Sequence, residues 1–227
     1  MEVQELRPGL WRWTAPHPDW TPEEGGPGGW EQLVGCVYYE APDAVVLIDP
    51  QAPPAGTPDA DKFWTRLDED VSRLGRPVAV LLCNDWHDRS AQVVYDRYRH
   101  QPGASVWVCE GARSRVDCTV THTFAEGDAL PGGIQAYGVG KDGDEALLYL
   151  PSHRALVAGD VLAGYPPGEL RIAWSEESVR PALRRLLDLP IQMVLPSHGQ
   201  PTLQDTHRAL ATALNAPIWG REPAGGA

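Results

Sequence analysis

The sequence predicts one domain of mixed α and β structure, in the α+β (α/β) class. Its 227 residues are 42% hydrophobic and 22% charged, a globular balance with enough apolar material for one sizeable core. The continuous apolar run at 78–83 is typical of a strand buried on both faces. Phe63, Leu67, Val71 and Leu74 repeat at helical spacing. Strand-like and helix-like segments alternate along the chain, which indicates sheets packed against helices.

The first half of the chain opens with a segment rich in Trp, Pro and Gly, at about residues 10–31, which holds four of the nine tryptophans. We interpret it as a flap that packs its indoles on the core, with a substrate lid as the alternative. The elements predicted after it are strands 33–39 and 44–48, a helix 58–74 ending at Gly75, a strand 77–83, and a helix capped by Ser90.

The second half is predicted to be β-rich and then helical. Its expected elements are a strand 105–108, a β-rich stretch 119–161, a helix 178–189, a strand 192–195, and a last helix opened by the capping box Thr202-x-x-Asp205. A single domain is expected over 1–216, followed by a loose tail over 217–227.

Charge and composition exclude several classes of partner. The formal net charge is −12, whereas nucleic acid and anionic membrane surfaces need a cationic face. The apolar runs are far shorter than the roughly 18 residues of a membrane span, and the first residues lack a signal-peptide pattern. Four cysteines without a CxxC pair are typical of reduced thiols. We therefore expect a cytoplasmic protein that binds neither nucleic acid nor membrane.

Three polar loops follow apolar strands and are the candidate site. They are residues 84–89, 159–160 and 197–199, and the ends of buried strands are where folds of this class collect functional side chains. Neither a phosphate-binding glycine loop nor a Gly-x-Ser-x-Gly elbow occurs, so nucleotide binding through such a loop and a serine nucleophile have no support.

Three motifs resemble those of the metallo-β-lactamase superfamily: VLID at 46–49, ALVAGD at 155–160 and VLPSHG at 194–199. Their order and their placement after apolar strands extend the resemblance over about residues 10–214. The resemblance implies a four-layer αββα sandwich of the metallo-β-lactamase type. In that family, the strand-end loops hold one or two metal ions that activate water.

The family's metal-ligand positions are largely replaced. Its HxHxDH motif and its later ligands, a histidine, a bridging aspartate and a last histidine, fall on Asn84, Trp86, Asp88, Arg89, Lys141, Asp160 and His198. Only Asp88, Asp160 and His198 keep a ligand type, so a dinuclear centre is not expected. One divalent ion (zinc, iron or manganese) on these three residues, with His87 as a fourth group, is the alternative.

Absence of a cofactor is the preferred expectation, because the alignment brings Arg89 and Lys141 into the site. A guanidinium close to a dication is strongly unfavourable, so these cations replace the metal: Arg89 is expected to face Asp88 or Asp160, and Lys141 to face Asp160.

Two functions follow. One is a residual hydrolase of an ester, thioester, lactone or phosphoester, in which Asp88, Asp160 and His198 bind one metal that delivers hydroxide. With His87 as a fourth group, these are the candidate catalytic residues. The other is a non-catalytic pseudoenzyme that binds a small anionic ligand, or a protein partner through the Trp-rich flap. A hybrid uses His87 as a metal-independent general base held by Asp88 or Asp85. The ligand-binding candidates are Asn84, Trp86, Arg89 and Lys141.

Overall fold

The computed structural model describes residues 1–26, 28–139, 143–175 and 177–220. Over these described residues the α-helices are α1 (Pro58–Leu74), α2 (Ala91–Tyr98), α3 (Arg180–Arg184) and α4 (Thr206–Ala213). The strands are β1 (Glu2–Arg7), β2 (Leu10–Pro16), β3 (Leu33–Glu40), β4 (Val45–Ile48), β5 (Val78–Leu81), β6 (Ala104–Cys109), β7 (His122–Phe124), β8 (Gln135–Gly138), β9 (Ala146–Leu150), β10 (Ala155–Val157), β11 (Leu162–Ala163), β12 (Arg171–Ile172) and β13 (Met193–Leu195).

Two main sheets carry most of the strands. The first sheet has the order β1-β2-β3-β4-β5-β6-β7; it is antiparallel as far as β4 and parallel from β4 to β7. The second has the order β13-β10-β9-β8, with β10 and β13 parallel. The carboxyl ends of β10 and β13 therefore meet at one edge of the second sheet.

The alternation of side chains along β9 shows how the layers are arranged. Ala146, Leu148 and Leu150 join the core that the first sheet shares with α1 and α2. Leu147 and Tyr149 join a second core with residues of α3 and α4. Because successive side chains of a strand point to opposite faces, the second sheet lies between the first sheet and α3 and α4. The architecture is the four-layer αββα sandwich.

Helix α1 spans the predicted residues. Thr57 Oγ1 accepts a hydrogen bond from Ala60 N at 3.2 Å, as an N-cap does. Gly75 ends the helix with a left-handed backbone, φ 63°, a conformation that costs glycine little. Leu67 and Val71 lie buried on its inner face. The helical spacing in the sequence therefore identified the buried stripe of α1.

The amino-terminal part of the predicted flap is a strand. Residues 10–16 form β2, paired with β1 and β3, and only the following loop covers the protein surface. The prediction was wrong here because two of the four tryptophans, Trp11 and Trp13, lie two residues apart on one face of β2. Trp13 is 4% exposed, and its Nε1 donates to Gln51 O at 2.9 Å.

Two predictions near the carboxyl terminus also need correction. Thr202 does not open a capping box; it forms an antiparallel bridge with Val194, and α4 begins only after Asp205, whose side chain makes no capping bond. The predicted tail is packed where it is described, since Ile218 is buried and Trp219 N donates to Ile172 O at 2.8 Å. Residues 221–227 lie outside the described residues.

Within the described part of the chain, no helix is both long enough and apolar enough to cross a bilayer.

Candidate functional site

The three polar loops line one cavity of about 790 Å³. The loop after β5 contributes residues 85–89, the loop after β10 contributes Asp160, and the loop after β13 contributes His198. The loop between β2 and β3 forms another wall of the cavity, with residues that include His17, Glu23 and Trp30. The cavity therefore lies where the strand ends of the two sheets converge.

A close backbone contact fixes the position of His198. Gly164 N donates to His198 O at 3.0 Å, and Gly199 has φ +79°. A Cβ at Gly164 would lie 2.0 Å from the backbone oxygen of Gln200, and one at Gly199 would lie 2.5 Å from the oxygen of Gly164. Only glycines allow the loop after β13 to approach the chain after β11 this closely.

The centre of the site is a buried histidine between two carboxylates. His87 is 1% exposed, with Nε2 3.0 Å from Asp160 Oδ1 and Nδ1 2.9 Å from Asp49 Oδ2. The contact with Asp49 is an ion contact whose alignment falls outside hydrogen-bonding geometry. His198 Nε2 lies 3.3 Å from the same Oδ1 of Asp160. Asp160 thus joins both histidines.

Protonation of His87 balances the two carboxylates. Burial opposes the charged imidazole and Arg89 adds to that effect, but Asp160 and Asp49 together outweigh them and raise the pKa of His87 to about 9. Burial alone would raise the pKa of Asp160, yet His87 and His198 hold it well below its usual range. The pKa of Asp49 is lowered in the same way, against its burial, chiefly by His87. At neutral pH the cluster is an imidazolium between two carboxylates.

Asn84 connects this cluster to a further carboxyl group, that of Glu145. Asn84 Nδ2 lies 3.4 Å from both Glu145 Oε1 and Asp160 Oδ2. Burial, and then the charge of Asp160, raises the pKa of Glu145 to about 7. Asn84 Oδ1 accepts from Trp86 N at 3.0 Å, so the Asn84 amide connects the loop after β5 to the cluster.

Asp88 and Arg89 line the cavity but do not join the central cluster. The two carboxylate oxygens of Asp88 accept from the backbone N–H groups of Arg89 and Asp117, each at 2.7 Å. Arg89 Nη1 lies 3.4 Å from the backbone oxygen of Asp49. Among the described residues, Arg89 pairs with neither Asp88 nor Asp160, contrary to the expectation from the alignment. Lys141, the other expected cation, lies outside the described residues.

Three tryptophans form the aromatic part of the cavity wall. The indoles of Trp30 and Trp174 approach His198 edge to face, with ring centroids 4.9 and 5.1 Å away. Trp86 is 78% exposed at the mouth, so it does not pack into the core. Trp20 Nε1 donates to Trp30 O at 3.0 Å and supports the loop that carries Trp30.

Asp49 and Glu145 are carboxylates of the site that sequence reasoning missed. Asp49 closes the VLID motif, directly after a buried strand, and takes an unusual φ of 50°; a polar residue at such a strand end is a signal that could have found it. Glu145 lies one residue before β9, and no pattern in the sequence marks it.

The residues at the family's metal positions do not fit a metal centre of the family type. Both carboxylate oxygens of Asp88 accept hydrogen bonds from backbone N–H groups. Trp86 is exposed, and Asp160 already contacts two histidines. Within the described ranges, no group of three or more His, Cys, Asp or Glu side chains has a metal-binding arrangement. Two carboxylates in contact with one imidazole stabilise the protonated ring. This arrangement therefore favours a protonated histidine at the centre of the site over a metal ion.

Comparisons with solved structures show the metallo-β-lactamase fold. A metallo-beta-lactamase family protein from Thermus thermophilus matches with a TM-score of 0.60 and 19% identity, over 93% of this chain and 80% of that one. The metallo-beta-lactamase from Pontibacter korlensis matches at 0.62 and 18%, over 95% and 99%. That of Pseudomonas aeruginosa in its mono-zinc form matches at 0.61 and 13%, over 94% of each chain.

No protein-family model matches the sequence, and no curated protein matches it either. The chain thus has the metallo-β-lactamase fold, and its function has to be argued from its own site.

Proposed function

We propose that this chain is a metal-independent, hydrolase-like protein of the metallo-β-lactamase fold that binds a small molecule in the cleft over His198. The observation that carries the proposal is the His87 imidazole between Asp49 and Asp160, at 2.9 and 3.0 Å. Its positive charge lies against Asp160, which falls on one of the family's metal-ligand positions. A second cation so close to it would be repelled.

The same contacts argue against His87 as a general base. A base must be unprotonated at the working pH, whereas the carboxylates of Asp160 and Asp49, against the effects of burial and Arg89, raise the pKa of His87 to about 9. The carboxylates that contact His87 are those of Asp49 and Asp160, rather than those of Asp85 or Asp88. Asp85 pairs with Arg115 at 2.6 Å. The pseudoenzyme is therefore favoured over catalysis by a free imidazole.

Metal analysis of protein purified without chelator tests the proposal. We expect well under one zinc, iron or manganese per chain and the same melting temperature with and without EDTA, because a metal bound only to the native state would stabilise it by RT ln(1 + [L]/Kd). The His198→Ala variant is the control, since it removes one of the three retained ligand types. Stoichiometric metal in the wild type, with a chelator-induced loss of stability that disappears in His198→Ala, would refute the proposal and favour a single-metal hydrolase.

A further inference from the structure

We infer that a second cavity, which lies between helix α1 and the first sheet, binds a small aromatic carboxylate. The cavity has a volume of about 250 Å³ and is lined mainly by residues of β1–β4 and α1. None of the described residues lines both this cavity and the cleft over His198. The inference therefore adds a binding site to the proposed function and does not depend on it.

The floor of this cavity is a row of side chains across the first sheet. Trp11, Tyr38 and Leu47 are successive cross-strand partners on β2, β3 and β4. Val3 on β1 pairs with Trp13 on β2. Cross-strand partners, and residues two apart on one strand, lie on the same face of a sheet. All five side chains therefore lie on one face of the sheet, and all five line the cavity.

Helix α1 forms the roof of the cavity with Phe63 and Leu67. These residues are four positions apart, so they lie on the same side of the helix, and Leu67 is buried. The rings of Phe63 and Trp13 have centroids 5.6 Å apart. Trp11 meets Tyr38 edge to face, with centroids 5.3 Å apart. Two aromatic pairs thus line the cavity, and flat aromatic ligands pack well against such rings.

The size of the cavity and its exposed apolar surface favour a small ligand. Val3 is 57% exposed although it lines an otherwise apolar wall, and exposed apolar surface that adjoins a cavity is typical of a binding site. The volume of about 250 Å³ lies just below the range of about 300–1,000 Å³ that drug-sized ligands occupy. A molecule of one or two rings therefore suits this space.

The charged side chains of the cavity wall favour an anionic group on the ligand. Lys62, Arg66 and Asp70 line the cavity, and their spacing of four residues places them in one row along α1. Two arginines already hold the Asp70 carboxylate: Oδ2 lies 3.1 Å from Arg66 Nε, and Oδ1 accepts from Arg73 Nη2 at 2.8 Å. Lys62 makes no hydrogen bond or ion pair with any described residue. A carboxylate on the ligand would therefore pair with Lys62.

Calorimetric titration with three naphthalene compounds of matched shape tests the inference. The probes are 2-naphthoate as the anion, 2-naphthylmethanol as the neutral compound and protonated 2-naphthylmethylamine as the cation. We expect 2-naphthoate to bind with a dissociation constant of about 1 mM or tighter, as suits a ligand of this size. The alcohol should bind more weakly, and the amine weakest because Lys62 repels it. Absence of binding by all three probes would overturn the inference and identify the cavity as a packing gap only.

The ¹H–¹⁵N NMR signals of the indole N–H groups locate the binding. 2-Naphthoate should shift the signals of Trp11 and Trp13, which line this cavity. The signals of the cleft tryptophans should stay unchanged; these are Trp30, Trp86 and Trp174. Single Trp→Phe variants assign the signals. Shifts confined to the cleft tryptophans would overturn the inference, and they would leave the metal analysis, and with it the proposed function, unaffected.

A substitution in the aromatic wall tests the contact with the rings of the ligand. Trp11→Leu should weaken 2-naphthoate about three- to tenfold, the size of one aromatic contact. The matched control, Trp107→Leu, removes another half-buried tryptophan from a strand of the same sheet and should leave the affinity unchanged. Equal losses in both variants would contradict binding in this cavity.

A second substitution tests the charge of the ligand. Lys62→Met should weaken 2-naphthoate about two- to fivefold, as for one exposed ion pair, and should leave the affinity for 2-naphthylmethanol unchanged. The control, Arg184→Met, removes a positive charge from an exposed position on α3 and should leave the ratio of the two affinities as in the wild type. An unchanged ratio in Lys62→Met would overturn the pairing of the carboxylate with Lys62.

Discussion

Replacing Asp160 with alanine should lower the free energy of unfolding by about 3 kcal/mol, because it leaves the His87 imidazolium buried with one carboxylate instead of two. Removing one partner of a buried pair typically costs about 3 to 5 kcal/mol. We expect the lower end because the Asp160 side chain is 26% exposed, although His87 is only 1% exposed. An exposed pair would contribute less than about 1 kcal/mol.

Urea unfolding of Asp160→Ala measures this effect, with the exposed Asp188→Ala as the matched control. A double-mutant cycle with His87→Gln isolates the coupling, which we expect to exceed about 1.5 kcal/mol. Asp160→Asn keeps the shape of the side chain and removes its charge, so it should also be strongly destabilised. Strict additivity of the two single variants, or a loss no larger than that of Asp188→Ala, would show that Asp160 and His87 are not coupled.

Stability should fall as the pH rises from about 6.5 to about 9, by about 2–3 kcal/mol. Burial and Arg89 lower the pKa of His87, but Asp160 and Asp49 raise it further, from an ordinary 6.5 to about 9 in the folded protein. The folded state therefore holds a proton that the unfolded state releases in this range. The contribution is complete below the unfolded pKa and is lost as the pH passes the folded one.

The His87→Gln variant is the reference for this pH dependence. Burial, followed by Asp160, raises the pKa of Glu145 to about 7, and burial raises the pKa of the Cys36 thiol to about 11, so both groups also favour the folded state at lower pH. Subtracting the urea curves of His87→Gln removes the part of Cys36. For Glu145 it leaves only the change in pKa that the charge of His87 causes. An equally steep pH dependence in the wild type and in His87→Gln would contradict the assignment of the charge to His87.

The layers of the fold could be predicted because each rests on a local signal. The apolar spacing defined α1 to the residue, and the VLID and ALVAGD motifs mark strands that are buried on both faces. The β1–β2 pairing was missed because prolines and glycines after residue 15 dominate that region. Thr202 was misassigned because its bridge to Val194 is a tertiary contact, which overrides a capping pattern.

The site was predictable only in part, because some of its contacts depend on tertiary pairing and not on a local motif. The loops of Asp160 and His198 follow parallel neighbours in the second sheet, so their proximity follows from the motif order. Asp49 reaches His87 through the register of β4 with β5, in which Ile48 pairs with Leu81, and no short motif encodes that pairing. The alignment placed Arg89 and Lys141 as the compensating cations, whereas the residue between two aligned positions, His87, contacts the carboxylates.

The ¹⁵N chemical shifts of the His87 ring, measured by NMR across a pH titration of histidine-labelled protein, test most directly whether an imidazolium occupies the centre of this site. The His87→Gln variant assigns the signals. We predict two protonated ring nitrogens at neutral pH, deprotonation near pH 9, and shifts that do not change when zinc is added. A ring with one protonated nitrogen at neutral pH, or ring signals that shift stoichiometrically with zinc, would contradict the account.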